Sequence, residues 1–243
     1  MTFWDHLDEL RGVLLRALLV SAAFAVAAFC CKDALFSAIL APAHGDFLTY
    51  RLLSADADFS LHLINTGLTE QFMTHMRAAA YAGLLCASPY ILYALFRFVA
   101  PGLYDRERRL GLRLVGSGYV MFLVGTLMCY FLVFPLAVRF LGTYQVSGDV
   151  ANMLTLQSYM DTLLGLCLAM GIVFELPVVC WLLSRAGLLT ADRMRAYRRH
   201  AFVAILIVAA VITPTGDPFT LFAVSLPIYA LYEISILTTR QHA

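Results

Sequence analysis

The stretch "APGLYDRERRLGLR", residues 100–113, decides the fold of this 243-residue chain because it separates two long apolar segments. It holds four arginines and two acids, whereas the flanking segments, about 73–96 and 114–134, are almost uncharged. Each flank supplies the ~20 apolar residues that an α-helix needs to cross ~30 Å of hydrocarbon. The stretch therefore indicates a short charged loop between two transmembrane helices.

The composition of the whole chain is typical of a membrane protein. Hydrophobic residues make up 61% of the sequence and charged residues 14%, and the mean hydropathy is +0.80. A soluble domain of this size has no core large enough to bury so much apolar surface. We therefore predict an all-α, polytopic membrane protein. The formal net charge of +1 gives no indication of a nucleic-acid partner, and we predict none.

Six apolar segments predict six transmembrane helices in one integral membrane domain covering residues 1–243. Only "TPTGDP" at 213–218 separates the fifth segment from the sixth, so we expect the last two helices to be short and either to thin the bilayer locally or to lean on their neighbours. The outer-side loop, about 32–71, is expected to contain one or two short interfacial helices. The predicted spans are about 12–31, 73–96, 114–134, 158–184, 200–213 and 218–237.

The distribution of lysine and arginine predicts the orientation. Thirteen of the 17 lie in the loops 97–113 and 185–199 or near the two termini, and four lie on the other side. Because cytoplasmic loops carry the excess of basic residues, both termini are predicted to be cytoplasmic. The segment "FWDHLDEL" at 3–10 is acidic, unlike the start of a cleavable signal, and it predicts an amphipathic cytoplasmic helix that leads into the first span.

Two cytoplasmic glutamates, Glu9 and Glu107, have no lysine or arginine three or four residues away, the spacing at which side chains meet on a helix. Asp105, in contrast, reaches Arg108 and Arg109 at this spacing. Each glutamate could pair with an arginine elsewhere in the fold or be solvated. Alternatively, both carboxylates are available to cations of a ligand. A guanidinium fits best, because its planar fork binds a carboxylate through two hydrogen bonds.

Five segments, in order, resemble signatures of the TatC family, the six-helix component of the twin-arginine protein translocase. The resemblance extends from residue 6 to about residue 235. The segments are "HLDELR" (6–11), "FVAPGLYDRERR" (98–109), "FPLAVRF" (134–140), "GIVFELPV" (171–178) and "TPTGDPFT" (213–220).

The resemblance implies a receptor and scaffold in the prokaryotic cytoplasmic (inner) membrane, built as a concave, multi-pass bundle. Glu9 and Glu107 would bind the paired arginines of signal peptides on folded cargo proteins, with Phe98 and Arg106 in the same site. Expected partners are the single-span subunits TatA and TatB, further copies in a larger complex, and the lipid bilayer. The proton-motive force would drive export.

Glu175 lies midway along the fourth predicted span, where an ionisable side chain is a functional candidate by default. A buried structural hydrogen bond is the alternative. Pro177 removes a backbone donor and is expected to kink this helix. The resemblance places Glu175 on the concave face, where partner helices or signal peptides pack.

The remaining candidates lie at the outer hairpin and at helix kinks. The resemblance implies that Thr213, Pro214 and Asp217 contact TatA and TatB. Pro89 and Pro135 are predicted to mark helix kinks or ends.

The residues alone leave two other classes of function open. An ion-coupled solute transporter could use Glu175 and Glu233 as relay groups, but the six segments show no paired halves with matching Gly/Pro interruptions. An enzyme would need a nucleophile with an adjacent base, a nucleotide loop or a metal cluster, and the sequence suggests none of these. The six cysteines fall in apolar segments and are interpreted as small hydrophobic residues. We predict no catalytic residues, no cofactor and no metal.

Overall fold

The computed structural model describes residues 3–52, 60–99, 111–145, 147, 153–185, 187–213 and 216–240. These residues are overwhelmingly helical, which confirms the all-α, polytopic membrane fold. In chain order the elements are α1 (Phe3–Cys30), α2 (Lys32–Leu40), a 3-10 turn (Ala41–Ala43), α3 (Leu48–Leu52), β1 (Leu63–Ile64), α4 (Glu70–Val99), α5 (Gly111–Met128), a π-helical turn (Cys129–Val133), α6 (Phe134–Thr143), β2 (Leu154–Thr155), α7 (Leu156–Val173), α8 (Leu176–Arg185), α9 (Ala191–Ala196), α10 (Arg198–Ile212) and α11 (Pro218–Arg240).

Five helical stretches of the described chain are long and apolar enough to cross a membrane. The fifth apolar segment, about 200–213, forms α10, whose 15 residues extend about 22 Å at 1.5 Å per residue, less than the hydrocarbon thickness. The fifth predicted helix is therefore short, as expected. The five stretches that are long enough to cross a membrane are Leu7–Cys30, Glu70–Phe98, Val115–Thr143, Leu156–Arg185 and Pro218–Thr239.

The last helix, α11, corrects one expectation, because its 23 residues are enough to span the bilayer and it is not short. It continues past the predicted end at residue 237 through polar residues whose hydroxyls bond within the helix. The Ser235 hydroxyl donates to the carbonyl of Leu231 over 2.7 Å, and that of Thr238 donates to the carbonyl of Ser235 over 3.0 Å. Polar side chains that are satisfied in this way do not end a helix.

Two compact units make up the chain, and the first consists of Met1–Leu35 and His75–Met121. Here α1, which includes the predicted N-terminal amphipathic helix without a break, packs against α4. The Phe29 ring stacks on His75 with 4.0 Å between ring centroids. Gly83 lies against the backbone of Ser21 and Ala25, where a Cβ would come within 2.6 Å of backbone atoms. The contacts move toward the start of α1 as they move toward the end of α4, from Phe29 and His75 to Ser21 and Gly83, so the two helices run antiparallel.

The second unit consists of Phe36–Thr74 and Phe122–Ala243, and two glycines bring its α5 and α7 close together. A Cβ on Gly125 would lie 2.6 Å from Cγ of Phe174, and a Cβ on Gly171 would lie 2.7 Å from Cε2 of Phe122. Both distances are shorter than real Cβ contacts allow. Only glycine permits this close packing, which lies directly before the turn that carries Glu175.

Four side-chain hydroxyls join the outer segment, which contains α2, the 3-10 turn and α3, to the membrane helices of the second unit; two of them, Tyr50 and Thr49, belong to α3. The Tyr50 hydroxyl lies 3.0 Å from the carbonyl of Pro42 and 3.1 Å from that of Pro135. Tyr50 is 1% exposed, and burial raises the pKa of its phenol to about 12. The other three bonds run from Tyr159 to Ile39 (3.0 Å), from Tyr130 to Ala38 and from Thr49 to Phe131. The short helices predicted in the loop at about 32–71 are thus present and fixed to the membrane helices.

A buried carboxylate joins the start of α4 to the start of α7. Glu70, 7% exposed, accepts the amide N–H groups of Thr66 and Gly67 on Oε2, each over 2.9 Å, and the Thr66 hydroxyl over 3.2 Å. Its Oε1 accepts the amide N–H of Gln157 over 2.9 Å. Beside this cluster β1 pairs with β2 in parallel. Neither the Glu70 cluster nor the pairing of β1 with β2 is among the features predicted from the sequence.

We expect Gly125→Ala to destabilise the protein by about 1–3 kcal/mol, because the added methyl group overpacks a helix contact that cannot open without moving α5 from α7. Gly116→Ala is the matched control on the same helix, since a Cβ there meets nothing within 4 Å. Thermal unfolding in detergent measures both variants. Equal melting temperatures for the two would contradict the close packing.

Tyr50→Phe is expected to cost about 1–3 kcal/mol, because two buried carbonyls lose their donor. The phenol pKa is higher in the folded state than the ~10 of an unfolded tyrosine, so its contribution to stability should be lost as pH rises from about 10 to about 12. This loss should be absent from Tyr50→Phe and retained in Tyr197→Phe, which changes a residue that is 60% exposed. Chemical unfolding at pH 8, 10 and 11.5 measures the difference, and identical pH dependence in all three proteins would exclude the assigned role.

Candidate functional site

Glu9 is half-buried on the first turns of α1, and its carboxylate is not neutralised within the described part of the chain. Its Oε2 is shielded from solvent and has no hydrogen-bond partner there. No ion pair within 4 Å joins it to a described lysine or arginine. A buried carboxylate oxygen without a partner costs several kcal/mol, so it marks a position where a cationic or hydrogen-bonding ligand is favoured.

Glu9 lines a groove of about 140 Å³ between α1 and α4. The lining residues recur every three or four positions on each helix, so each set occupies one face. They are Glu9, Val13 and Arg16 on α1, and Tyr90, Tyr93, Ala94, Arg97 and Phe98 on α4.

The antiparallel packing fixes the order of residues along the groove. Glu9 lies at the end that carries the N-terminus, at the level of Arg97 and Phe98. Arg16 and Tyr90 lie about two helical turns further into the span. The groove thus combines one carboxylate and two guanidinium groups with an aromatic and apolar wall.

The structure brings together some of the sequence-predicted residues of this site. Phe98 lines the same groove as Glu9. Glu107 and Arg106 lie outside the described residues. Arg16 and the tyrosines of α4 are not among the residues predicted for this site, although Arg16 carries a usable signal as the only lysine or arginine in α1 after Arg11.

Glu175 lies in the turn between α7 and α8, so the fourth predicted span consists of two consecutive helices. Its Oε1 is shielded from solvent and has no hydrogen-bond partner among the described residues. The backbone of the turn is satisfied, because the Glu175 N–H donates to Ile172 over 3.1 Å and the Glu175 carbonyl accepts from Val179 over 2.9 Å. The side chain of Glu175 is therefore the unsatisfied group.

Two of the hairpin residues predicted to contact partner subunits, Thr213 and Asp217, form hydrogen bonds with residues close to them in the chain. The buried Thr213 hydroxyl donates to the carbonyl of Ala209 over 3.0 Å. Asp217 Oδ1 accepts the N–H of Thr220 over 2.7 Å and so caps α11, whose first residue is Pro218. Pro214 lies outside the described residues.

The three prolines selected from the sequence occupy two kinds of position. Pro177 is the second residue of α8, where a missing N–H leaves no intrahelical bond unmade. Pro135 follows the π-helical turn inside the continuous helical stretch Val115–Thr143, and the carbonyl of Phe131, four residues earlier, accepts the Thr49 hydroxyl. Pro89 lies inside α4, which continues through it.

Glu233 differs from Glu9 and Glu175, because both of its oxygens have partners. Its Oε2 lies 2.6 Å from Nη2 of Arg198, and its Oε1 accepts the Tyr229 hydroxyl over 3.2 Å. A carboxylate held in this way is a poor relay for ions or protons. In the described chain no group of three or more His, Cys, Asp or Glu side chains is placed to hold a metal ion.

Comparisons with known proteins agree with these features. A sequence profile of the family described as "Sec-independent protein translocase protein (TatC)" matches residues 5–227. A TatC protein of Deinococcus radiodurans is 37% identical over 238 residues, covering 98% of this chain and 85% of the relative. One of Carboxydothermus hydrogenoformans is 31% identical over 241 residues, covering 99% and 93%.

Two solved structures are similar to this chain over nearly its whole length. A crystal structure of a twin-arginine translocase receptor, TatC, superposes with a TM-score of 0.80 at 30% identity, covering 96% of this chain and 97% of that chain. A second, in DDM, gives a TM-score of 0.81 with 96% and 98% coverage. The chain therefore belongs to the TatC family and is a multi-pass membrane component of the Sec-independent, twin-arginine protein translocase.

Proposed function

We propose that this chain is the receptor for twin-arginine signal peptides, with Glu9 and Glu107 as the two acids that bind the arginine pair. The observation that carries the proposal is the buried Glu9 Oε2, which faces a groove and has no partner in the described chain. The family membership supports it, as does the similarity to a protein named as a translocase receptor.

Specificity for arginine follows from geometry. A guanidinium offers two parallel N–H donors to a carboxylate, whereas lysine is a point charge without this fork. Hydrogen bonds to charged groups contribute about 1.5–3 kcal/mol each. Because Phe98 and the tyrosines of α4 line the same groove, a bound guanidinium would also lie near aromatic rings that attract cations.

We further propose that the chain is a scaffold on which the translocase assembles. The chain resides in the prokaryotic inner membrane, associates with TatA, TatB and further copies of itself, and acts by binding, without catalysis, in export driven by the proton-motive force. Glu175 contacts a partner inside the membrane, and its shielded Oε1 supports this role. Thr213, Pro214 and Asp217 contact partner subunits at the outer hairpin, and Arg106 contributes to the signal site.

Glu9→Gln combined with Glu107→Gln is expected to weaken binding of a twin-arginine signal peptide at least about hundredfold, because two charged contacts are lost. Asp192→Asn is the matched control, since it removes an acid whose side chain is 94% exposed. Fluorescence anisotropy with a labelled peptide and purified chain gives the dissociation constants. Unchanged affinity in the double variant would refute the receptor assignment.

Glu175→Ala is expected to reduce co-purification of TatB and cargo export, while the affinity for signal peptide stays within about twofold. The reason is that Glu175 lies in the turn inside the fourth span and does not line the groove of Glu9. The same anisotropy assay, a pull-down and an export assay measure the three quantities. A variant that loses peptide binding but assembles normally would contradict this division of roles.

A further inference from the structure

The groove contains a charged residue that the proposed function does not use. Arg16 lies inside the membrane-crossing stretch Leu7–Cys30 and is the only arginine or lysine of α1 beyond Arg11. A charged side chain in a transmembrane segment is costly, and it is retained where it faces a cavity or binds a ligand. Arg16 meets the first condition, because it lines the groove.

The Arg16 side chain turns back along its own helix. Its Nε donates to the carbonyl oxygen of Gly12 over 2.9 Å. The guanidinium lies beside Gly12, since a Cβ there would be in van der Waals contact with Nη2 of Arg16, at 3.5 Å. The guanidinium therefore lies at the level of Gly12, three residues and about 4.5 Å along the helix axis from Glu9.

Most of the hydrogen-bonding capacity of Arg16 is unused. A guanidinium group has five N–H donors, and the bond to Gly12 takes one. Within the part of the chain that the structure describes, the other four have no acceptor. No ion pair within 4 Å joins Arg16 or Arg97 to Glu9. The groove thus offers a carboxylate at its rim and free donors about one turn deeper.

A ligand that satisfies both groups carries a cation and, a few ångströms away, hydrogen-bond acceptors. An extended peptide with an arginine has both, because its main-chain carbonyls are unpaired and successive residues advance ~3.3 Å. The carbonyls of the one or two residues beside the arginine would therefore reach the level of Arg16. A helical peptide would not serve, because its carbonyls are already bonded within the helix.

We propose that Arg16 is a second binding residue of this groove, which donates hydrogen bonds to main-chain carbonyl oxygens of the signal peptide next to the arginine bound by Glu9. The inference rests on the proposed function and deepens it. It means that the receptor recognises an extended main chain in addition to the arginine side chains. Val13 and Tyr93, which line the groove, provide the apolar wall along which this segment lies.

The test is the affinity of the purified full chain for a synthetic, labelled twin-arginine signal peptide. We expect Arg16→Gln to raise the Kd about tenfold, the equivalent of one charged hydrogen bond. Arg193→Gln, which removes an exposed arginine outside the groove, should leave the Kd within about twofold. Gly12→Leu, which fills the place of the guanidinium, should weaken binding like Arg16→Gln and provides the test if that variant does not fold.

A double-mutant cycle identifies the atoms involved. Ester bonds replace the one or two amide bonds that follow the arginine pair and so weaken those carbonyls as acceptors. In the wild-type chain these esters should reduce affinity several-fold, and in Arg16→Gln they should have no further effect. An ester near the carboxyl end of the peptide is the control and should change neither protein.

The outcomes separate this inference from the proposed function. If the Glu9 and Glu107 variants lose binding while Arg16→Gln and Gly12→Leu keep wild-type affinity, the role of Arg16 is overturned and the receptor function stands. If Arg16→Gln changes only the amount of anionic lipid that co-purifies, Arg16 binds a lipid phosphate and the inference is also overturned. If binding survives loss of both glutamates, the proposed function itself fails.

Discussion

Polar atoms that lie away from water must find partners inside the protein, and the hydrocarbon of a bilayer makes this constraint severe. The helices satisfy the backbone, and hydroxyls inside them bond to the carbonyl four residues earlier, as Ser21 does to Ala17 over 2.8 Å and Ser235 to Leu231 over 2.7 Å. The outer segment follows the same rule in another form, because buried tyrosines donate to its carbonyls. The need to pair buried polar atoms thus explains both the continuous helices and the attachment of the outer segment to them.

Against this background the exceptions are informative. Among the residues that the structure describes, Glu9 and Glu175 each keep a shielded carboxylate oxygen without a partner, whereas Glu70 and Glu233 have partners on both oxygens. The hydroxyls of Thr126 and Thr220 also lack a partner within the described ranges, but an unsatisfied hydroxyl costs less than an unsatisfied carboxylate. The paired glutamates stabilise the fold, and the unpaired ones are the places where a ligand or partner subunit would lower the free energy.

Sequence reasoning predicts those features that depend on neighbours along the chain. Apolar length locates the spans, the short α10 follows from its charge spacing, and the proline at residue 177 marks the break in the fourth span. Glu9 was selected because it lacks a local cation, and Phe98 through the family resemblance. The sequence marks Arg16 as an isolated charge in α1, but its place in the groove depends on the register of α1 against α4, which Gly83 fixes through contacts far apart in sequence.

The Glu70 cluster has a consequence for how such sequences diverge. Its carboxylate binds mainly amide N–H groups, and these are present in every amino acid except proline. A Cβ at residue 67 would come no closer than 3.4 Å to Glu70, so a small side chain is tolerated there as well. The side chains at positions 67 and 157 can therefore diverge without removing these bonds, whereas shortening Glu70 to aspartate would take its carboxylate out of reach of the amide groups.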